Sequence, residues 1–398
     1  MLKKIIIEKI GENGPMPFRA FMNEALYHPV YGYYMSKEAM PFGREGDFFT
    51  ASHLHPAFGA AIGRQVQQMW TLMGKPTLFH IIEFGPGRAF LASDMLRSLD
   101  NTEFYNAISY VIIEANPWLM QHQRAMLTDD KVSWAASANE LPPVCGCILS
   151  NELPDAFPVH LVQMDNGVLR EVWVAAEGDN LIEILREPYK EILEYVEEFE
   201  IDVLRGSSTS FNPVIPAKAA IQSTYRTEIN LAVRDWLKDC SSILREGFII
   251  TVDYGFPAWQ YYQPGRSRGT LLCYHRHKTS ENPYENIGEQ DITAHVNFSA
   301  LSKWGLQYGF RPVGYAAQGQ FLLSLGIDEL IAQIPQDEDY QFEAIKIKRL
   351  LVPEGMGESH KVLVQYKGAA GEIPRLRGFT IRNQLSELDV MPTMELEK

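Results

Sequence analysis

Cysteine is scarce in this sequence, with four in 398 residues. That is too few to staple a chain of this length, and it fits a reducing compartment. Positive charge is scarce too: 36 Lys and Arg stand against 50 Asp and Glu, a formal net charge of −14. A protein living on phosphate contacts needs a basic face, so nucleic acid and anionic membrane surfaces are excluded as expected partners. No stretch approaches the roughly 20 apolar residues of a membrane span. Met1–Ile10 (MLKKIIIEKI) holds only a short apolar run, unlike a secretory h-region, and it carries acids, unlike a mitochondrial transit peptide. The expectation is a cytoplasmic protein without membrane insertion. Cys145 and Cys147 lie in an expected buried strand, where packing explains them, and no metal-ligand spacing occurs, the His275/His277 pair included.

What is present is a core. The chain is 46% apolar with seven Trp, a globular composition. Its most informative stretch is Thr77–Phe90, TLFHIIEFGPGRAF. Leu78–Phe84 is a nearly continuous apolar run, as in a parallel strand covered on both faces. Gly85-Pro86-Gly87 follows, and Arg88–Leu99 has helical spacing. Glycines between a strand and a helix let backbone amides approach a polar ligand at the helix N-terminus. The pattern repeats. Ile108–Ala115 reads as a second buried strand ending in Glu114, and Pro117–Leu127 as its crossover helix. Val132–Ala135, Cys145–Ser150 and Phe248–Val252 read as further strands, and Lys361–Tyr366 as the last one. Pro56–Met73 and Glu228–Arg245 read as amphipathic helices, the latter stopped by Gly247. Such alternation predicts an α/β fold with a doubly wound parallel sheet.

Other segments fall outside that rhythm. Residues 1–74 read as an N-terminal helical segment whose aromatic stretch, with Tyr31–Tyr34, is either a helix and turn packed onto the core or a lid over a pocket. Residues 158–225 read as an inserted subdomain: a hairpin around Asn166-Gly167, a helix, and a flexible Ser/Pro/Gly-rich loop at 206–220. The core is expected at 75–157 and 226–325. Residues 326–398 are expected to add helices, the last strand and a polar tail.

The glycine turn decides between cofactors. A dinucleotide fingerprint needs G-x-G-x-x-G, and Phe90 stands at the third position, against NAD. Two strand-end acids, Glu83 and Glu114, suit S-adenosyl-L-methionine (SAM) better. That cofactor has no phosphates, so Glu83 serves the methionine end and Glu114 the ribose hydroxyls.

Ile82–Leu91, Ile112–Pro117, Ser150–Val159 (SNELPDAFPV), Val252–Gly255 (VDYG), Glu289–Phe298 (EQDITAHVNF) and Gly46–Thr50 (GDFFT) together resemble the MidA-like methyltransferases. These are class I SAM-dependent enzymes that include a mitochondrial arginine methyltransferase needed for complex I assembly. The resemblance implies a seven-stranded Rossmann-like methyltransferase sheet. It implies a cofactor set of Glu83, Gly85, Pro86, Gly87, Glu114, Asn151, Asp47 and Thr50. It also implies methyl transfer to arginine on a partner protein, a complex I subunit being one such target, with Glu152, Asp155 and Asp253 as catalytic candidates. For Asp155 a helix N-cap is the competing role. Asp291–His295 (DITAH) reads either as a substrate-groove lining or as a capped helix start. The chain departs from the family pattern at Ala89, where Gly is usual, and at Asn297, where Asp is usual. The competing function is a non-catalytic assembly factor that keeps the fold.

Overall fold

The computed structural model describes residues 1–36, 51–205, 225–332, 339–369, 371 and 375–388. Asp47, Thr50 and the 206–220 loop lie outside the described residues, as do residues 372–374 and 389–398 of the polar tail. Among the described residues, no helix is long and apolar enough to cross a membrane.

Seven strands form the main path of an eight-stranded central sheet among the described residues: β1 (Phe79–Phe84), β2 (Ile108–Ile113), β3 (Val132–Ala135), β4 (Val144–Asn151), β5 (Leu244–Phe256), β6 (Arg311–Ala317) and β7 (His360–Lys367). They lie in the order β6-β7-β5-β4-β1-β2-β3. β3, β2, β1, β4 and β5 run parallel, and β7 runs antiparallel to both β5 and β6. The carboxyl ends of β1, β2, β4 and β5 therefore share one edge with the start of β7. The order turns around at β1 and β4, the place where open α/β sheets hold their ligands.

One face of this sheet packs under α1 (Ala57–Leu72) and α2 (Phe90–Leu99). Phe58, Ile62, Val66, Met69 and Trp70, the apolar stripe expected on α1, join Ile81, Tyr110, Leu149 and Ile250 in one buried cluster. The other main sheet helices are α3 (Pro117–Met126), α4 (Ala232–Ile243) and α5 (Phe298–Gln307).

Gly247 does not stop a helix as expected. α4 ends at Ile243, and Gly247 pairs with Gly146 inside the sheet. A Cβ on Gly247 would sit 1.8 Å from the Gly146 carbonyl oxygen, so the strands meet here only because a side chain is missing. The helix expected from Glu228 likewise begins later. Arg226–Ile229 is a strand because it pairs with His160–Gln163, and tertiary pairing overrides the helical spacing.

The contacts of the described residues divide the chain into two compact units. One takes the described parts of Phe42–Asp155, Arg234–Gly255 and Phe298–Lys398, and contains the sheet above. The other takes those of Met1–Pro41, Ala156–Val233 and Phe256–Asn297. The sequence division kept 256–297 with the core. In the structure that segment carries a small sheet of its own, in which Leu272–His275 pairs with Lys278–Ser280 and Asp291–Thr293.

In this second unit His160–Asp165 and Val168–Glu177 form the expected hairpin, with Asn166 and Gly167 at φ 50° and 81°. Tyr34, in the aromatic segment, stacks on Tyr27 and donates a 2.7 Å hydrogen bond to Asp291. Asp291 opens a buried strand, so its segment is not a capped helix start.

Candidate active site

The first part of the site is the turn after β1. Gly85, Gly87 and Ala89 have φ of 58°, 56° and 60°, three left-handed residues within five. Such backbone suits glycine, and at Ala89 it costs about 1–2 kcal/mol. The turn is tied down by Gly85 N–H donating to the Ile113 carbonyl (3.1 Å) and Ala89 N–H donating to the Pro86 carbonyl (2.9 Å). Phe90 opens α2, and the His53 ring meets it edge-on at 4.9 Å.

Glu83 lies behind this turn and is 2% exposed, not a solvated strand end. Tyr110 Oη donates to its Oε2 at 2.7 Å. Burial pushes the Glu83 carboxyl from the ordinary 4.5 up to about 7, only partly offset by that bond. A raised folded value means that the fold favours the protonated acid. The resulting stabilisation is complete below pH 4.5 and is lost as pH rises through 7. Thermal melts of the ligand-free protein will show this loss between pH 5 and 7.5, and Glu83→Gln will flatten that slope.

Glu114 lies just beyond β2, where its N–H donates to the Ala135 carbonyl at 3.0 Å. Its Oε1 accepts from Asn116 N–H at 2.8 Å and its Oε2 from Gln123 Nε2 at 3.0 Å. Burial raises its pKa, opposed by these donors. Asn116 also caps α3, accepting from Trp118 N–H at 2.9 Å. Gln123 went unnoticed in the sequence. It is 1% exposed, and its Nε2 also donates to the Gly87 carbonyl at 2.8 Å, while its Oε1 accepts from Trp134 Nε1 at 3.1 Å. One amide thus joins the glycine turn to Glu114. Gln123→Leu leaves the buried Gly87 carbonyl and Glu114 carboxyl and the half-buried Trp134 Nε1 short of a partner, and a drop of about 2–3 kcal/mol in unfolding free energy is expected by denaturant titration.

The second part lies after β4 and β5. Asn151 ends β4 with its Oδ1 buried and without a hydrogen-bond partner among the described residues, and the Ser150 hydroxyl beside it is in the same state. Such acceptors are expensive unless a ligand donor meets them. Glu152 follows at φ 49°, a strained position for a side-chain-bearing residue. Its N–H donates to the Val252 carbonyl (2.8 Å), its Oε1 accepts from Ala51 N–H (3.0 Å), and His360 Nε2 lies 3.6 Å away. His53 also faces this carboxylate. Burial lowers its pKa to about 4, against the pull of Glu152 and helped by Arg88, so it is neutral at pH 7.

Asp155 is 4% exposed and Asp253 fully buried. Asp253 Oδ2 accepts from Asp155 N–H at 3.2 Å and its Oδ1 from Tyr254 N–H at 2.8 Å. Tyr254 Oη donates to Asp155 Oδ2. Burial, then the charges of Asp155 and Glu152, push the Asp253 carboxyl well above the usual range. Asp253, a catalytic candidate from the sequence, is enclosed here, with its two oxygens on the backbone N–H groups of Asp155 and Tyr254. Asp155 bonds through its side chain to Tyr254 across the site, rather than simply capping a helix.

Glycine turn, strand-end carboxylates and the open Asn151 acceptor fit a ligand with an ammonium group and a ribose. Glu83 and Glu114 would repel a pyrophosphate. A family profile for S-adenosyl-L-methionine-dependent methyltransferases matches residues 61–316. A crystal structure of a superfamily member from Burkholderia thailandensis, bound to S-adenosyl-homocysteine, is 29% identical and superposes with a TM-score of 0.83 over 97% of this chain and 96% of that one. The mitochondrial protein arginine methyltransferase of Danio rerio is 28% identical over 89% of this chain and 84% of its own. Its Drosophila melanogaster homologue is 26% identical over 92% and 85%. These relatives are named as mitochondrial proteins, which overturns the cytoplasmic expectation drawn from composition.

Proposed function

Since this chain belongs to the S-adenosyl-L-methionine-dependent methyltransferases, we propose that its methyl acceptor is an arginine side chain on a partner protein. The observation that carries this reading is the enclosed acidic group Glu152, Asp155 and Asp253 at the ends of β4 and β5. S-adenosyl-L-methionine supplies an electrophilic methyl group when bound. Glu83, Gly85, Pro86, Gly87 and Asn151 hold its amino-acid end, and Glu114 holds the ribose hydroxyls.

A guanidinium is a poor nucleophile because it stays protonated, with a pKa above about 12. Glu152 and Asp155 accept its N–H groups in charge-assisted hydrogen bonds, drawing positive charge away from the attacking nitrogen. Asp253 keeps Asp155 in place. Catalysis on this reading is positioning plus exclusion of water. Two comparisons support the choice of arginine, since the Danio rerio and Drosophila melanogaster relatives are named protein arginine methyltransferases. A respiratory complex I subunit is the partner to test first, on the family resemblance.

The test incubates the protein with methyl-labelled S-adenosyl-L-methionine, isolated complex I subunits and arginine-bearing peptides, followed by mass spectrometry. Methyl groups on arginine are expected. Label confined to lysine or to small molecules overturns the arginine assignment, and no transfer to any acceptor favours the assembly-factor role.

A further inference from the structure

Methylation of a guanidinium releases a proton that the binding groups alone do not remove. The acceptor nitrogen forms an N–C bond, and the electron pair of the broken bond leaves with the methyl donor. The product guanidinium keeps its single positive charge, so one N–H proton must depart. Resting on the arginine reading above, the question is which group of this chain receives it.

Asp155 and Asp253 are poor candidates. Asp155 is bonded to Tyr254, and Asp253 is enclosed with both oxygens accepting backbone N–H groups. Glu152 reaches outward to His360, which opens β7. The antiparallel register sets His360 beside Tyr254 and Lys361 beside Asp253. His360 is 6% exposed, its Nδ1 lies 3.1 Å from the Ser359 hydroxyl, and its Nε2 has no hydrogen-bond partner among the described residues. Glu152 Oε1 lies 3.6 Å from that nitrogen. Lys361 pairs with Glu358 at 2.6 Å, and the Tyr254 ring lies edge-on to the imidazole at 5.5 Å. His53, the other imidazole facing Glu152, is held neutral by burial.

We infer that His360 is the proton-accepting partner of Glu152: the carboxylate takes the N–H proton from the guanidinium and passes it to Nε2 of His360. The O–H formed on Glu152 breaks as the Nε2–H bond of the imidazolium forms, restoring the carboxylate for the next acceptor. A movement of under about 1 Å turns the 3.6 Å separation into a hydrogen bond. His360 acts through Glu152 and is a positioning and relay residue, not one that touches the substrate.

The test uses the full chain and an arginine peptide that the wild type methylates. His360→Gln is expected to lower kcat about 100-fold, with the peptide KM little changed. Affinity for S-adenosyl-homocysteine, measured by calorimetry, stays at the wild-type value. His360→Ala should behave alike, and added imidazole should recover roughly tenfold of its lost rate. An unchanged kcat in His360→Gln overturns the inference while leaving the arginine reading intact. Loss of S-adenosyl-homocysteine affinity along with kcat, or no response to imidazole, also overturns it, because either marks a merely structural histidine. If the wild type methylates no arginine, the arginine reading fails first and this relay with it.

Discussion

Gly85→Val will bind S-adenosyl-homocysteine at least about 100-fold more weakly than wild type, a loss of about 2.7 kcal/mol by calorimetry. Gly85 holds φ 58°, which a β-branched residue reaches only with strain. A Cβ there meets Leu153 Cδ1 at 2.9 Å. Leu153 is a flexible side chain and can yield by a few tenths of an ångström, so Gly85→Ala should lose only about tenfold. The two further methyls of valine have no such freedom. Relief comes only if the Gly85–Gly87 peptides turn over, and those are the backbone groups proposed to approach the cofactor. The turn lies at the sheet edge, where Gly85 itself is exposed, so the fold should survive. A native circular dichroism spectrum with wild-type affinity would show that the turn does not carry cofactor binding.

Glu152→Gln is expected to lower kcat/KM for an arginine substrate by about 10²–10³-fold. The substitution is nearly isosteric. The Gln Oε1 can still accept from Ala51 N–H, and the φ of 49° suits Gln as well as Glu, so the backbone has no reason to move. What disappears is the negative charge, which on the proposed mechanism both holds the guanidinium and receives its proton. Affinity for S-adenosyl-homocysteine should stay within about threefold of wild type, since Glu152 belongs to the acceptor side. Activity near the wild-type level would remove Glu152 from the mechanism. A parallel collapse of cofactor affinity would make it a structural acid for the Ala51–Leu54 turn.

The two variants divide the site along the line on which the sequence was readable. The strand–turn–helix at 79–99 could be read directly because each part has a local cause: an apolar run, two glycines with positive φ, then helical spacing. Glu114 was legible as the acid closing the next strand, and the Asn166-Gly167 hairpin as a turn type that few other pairs allow. Arg226–Ile229 and Gly247 were misread for a physical reason. Both sit where a strand is chosen by its neighbour, and a neighbour far along the chain leaves no mark in the local period.

The same limit governs the site. Sequence alone determined the chemistry on offer: an acid–glycine turn without a third glycine, a second strand-end acid, and the Asn-Glu and Asp groups after later strands. It also determined the α/β class, because burial of alternating strands and helices depends on residue type and spacing, which are local properties. Only the tertiary structure decided which groups work together. Gln123 joins Gly87 to Glu114 across the β1–β2 crossover. Tyr254 and Asp253 hold Asp155 from about 100 residues away. His360 reaches Glu152 because β7 inserts antiparallel beside β5, bringing its first residue to the carboxyl edge of the parallel strands. Those pairings depend on strand order and register, set by the packing of the whole sheet, and a shift of one residue between β5 and β7 would turn His360 to the opposite face.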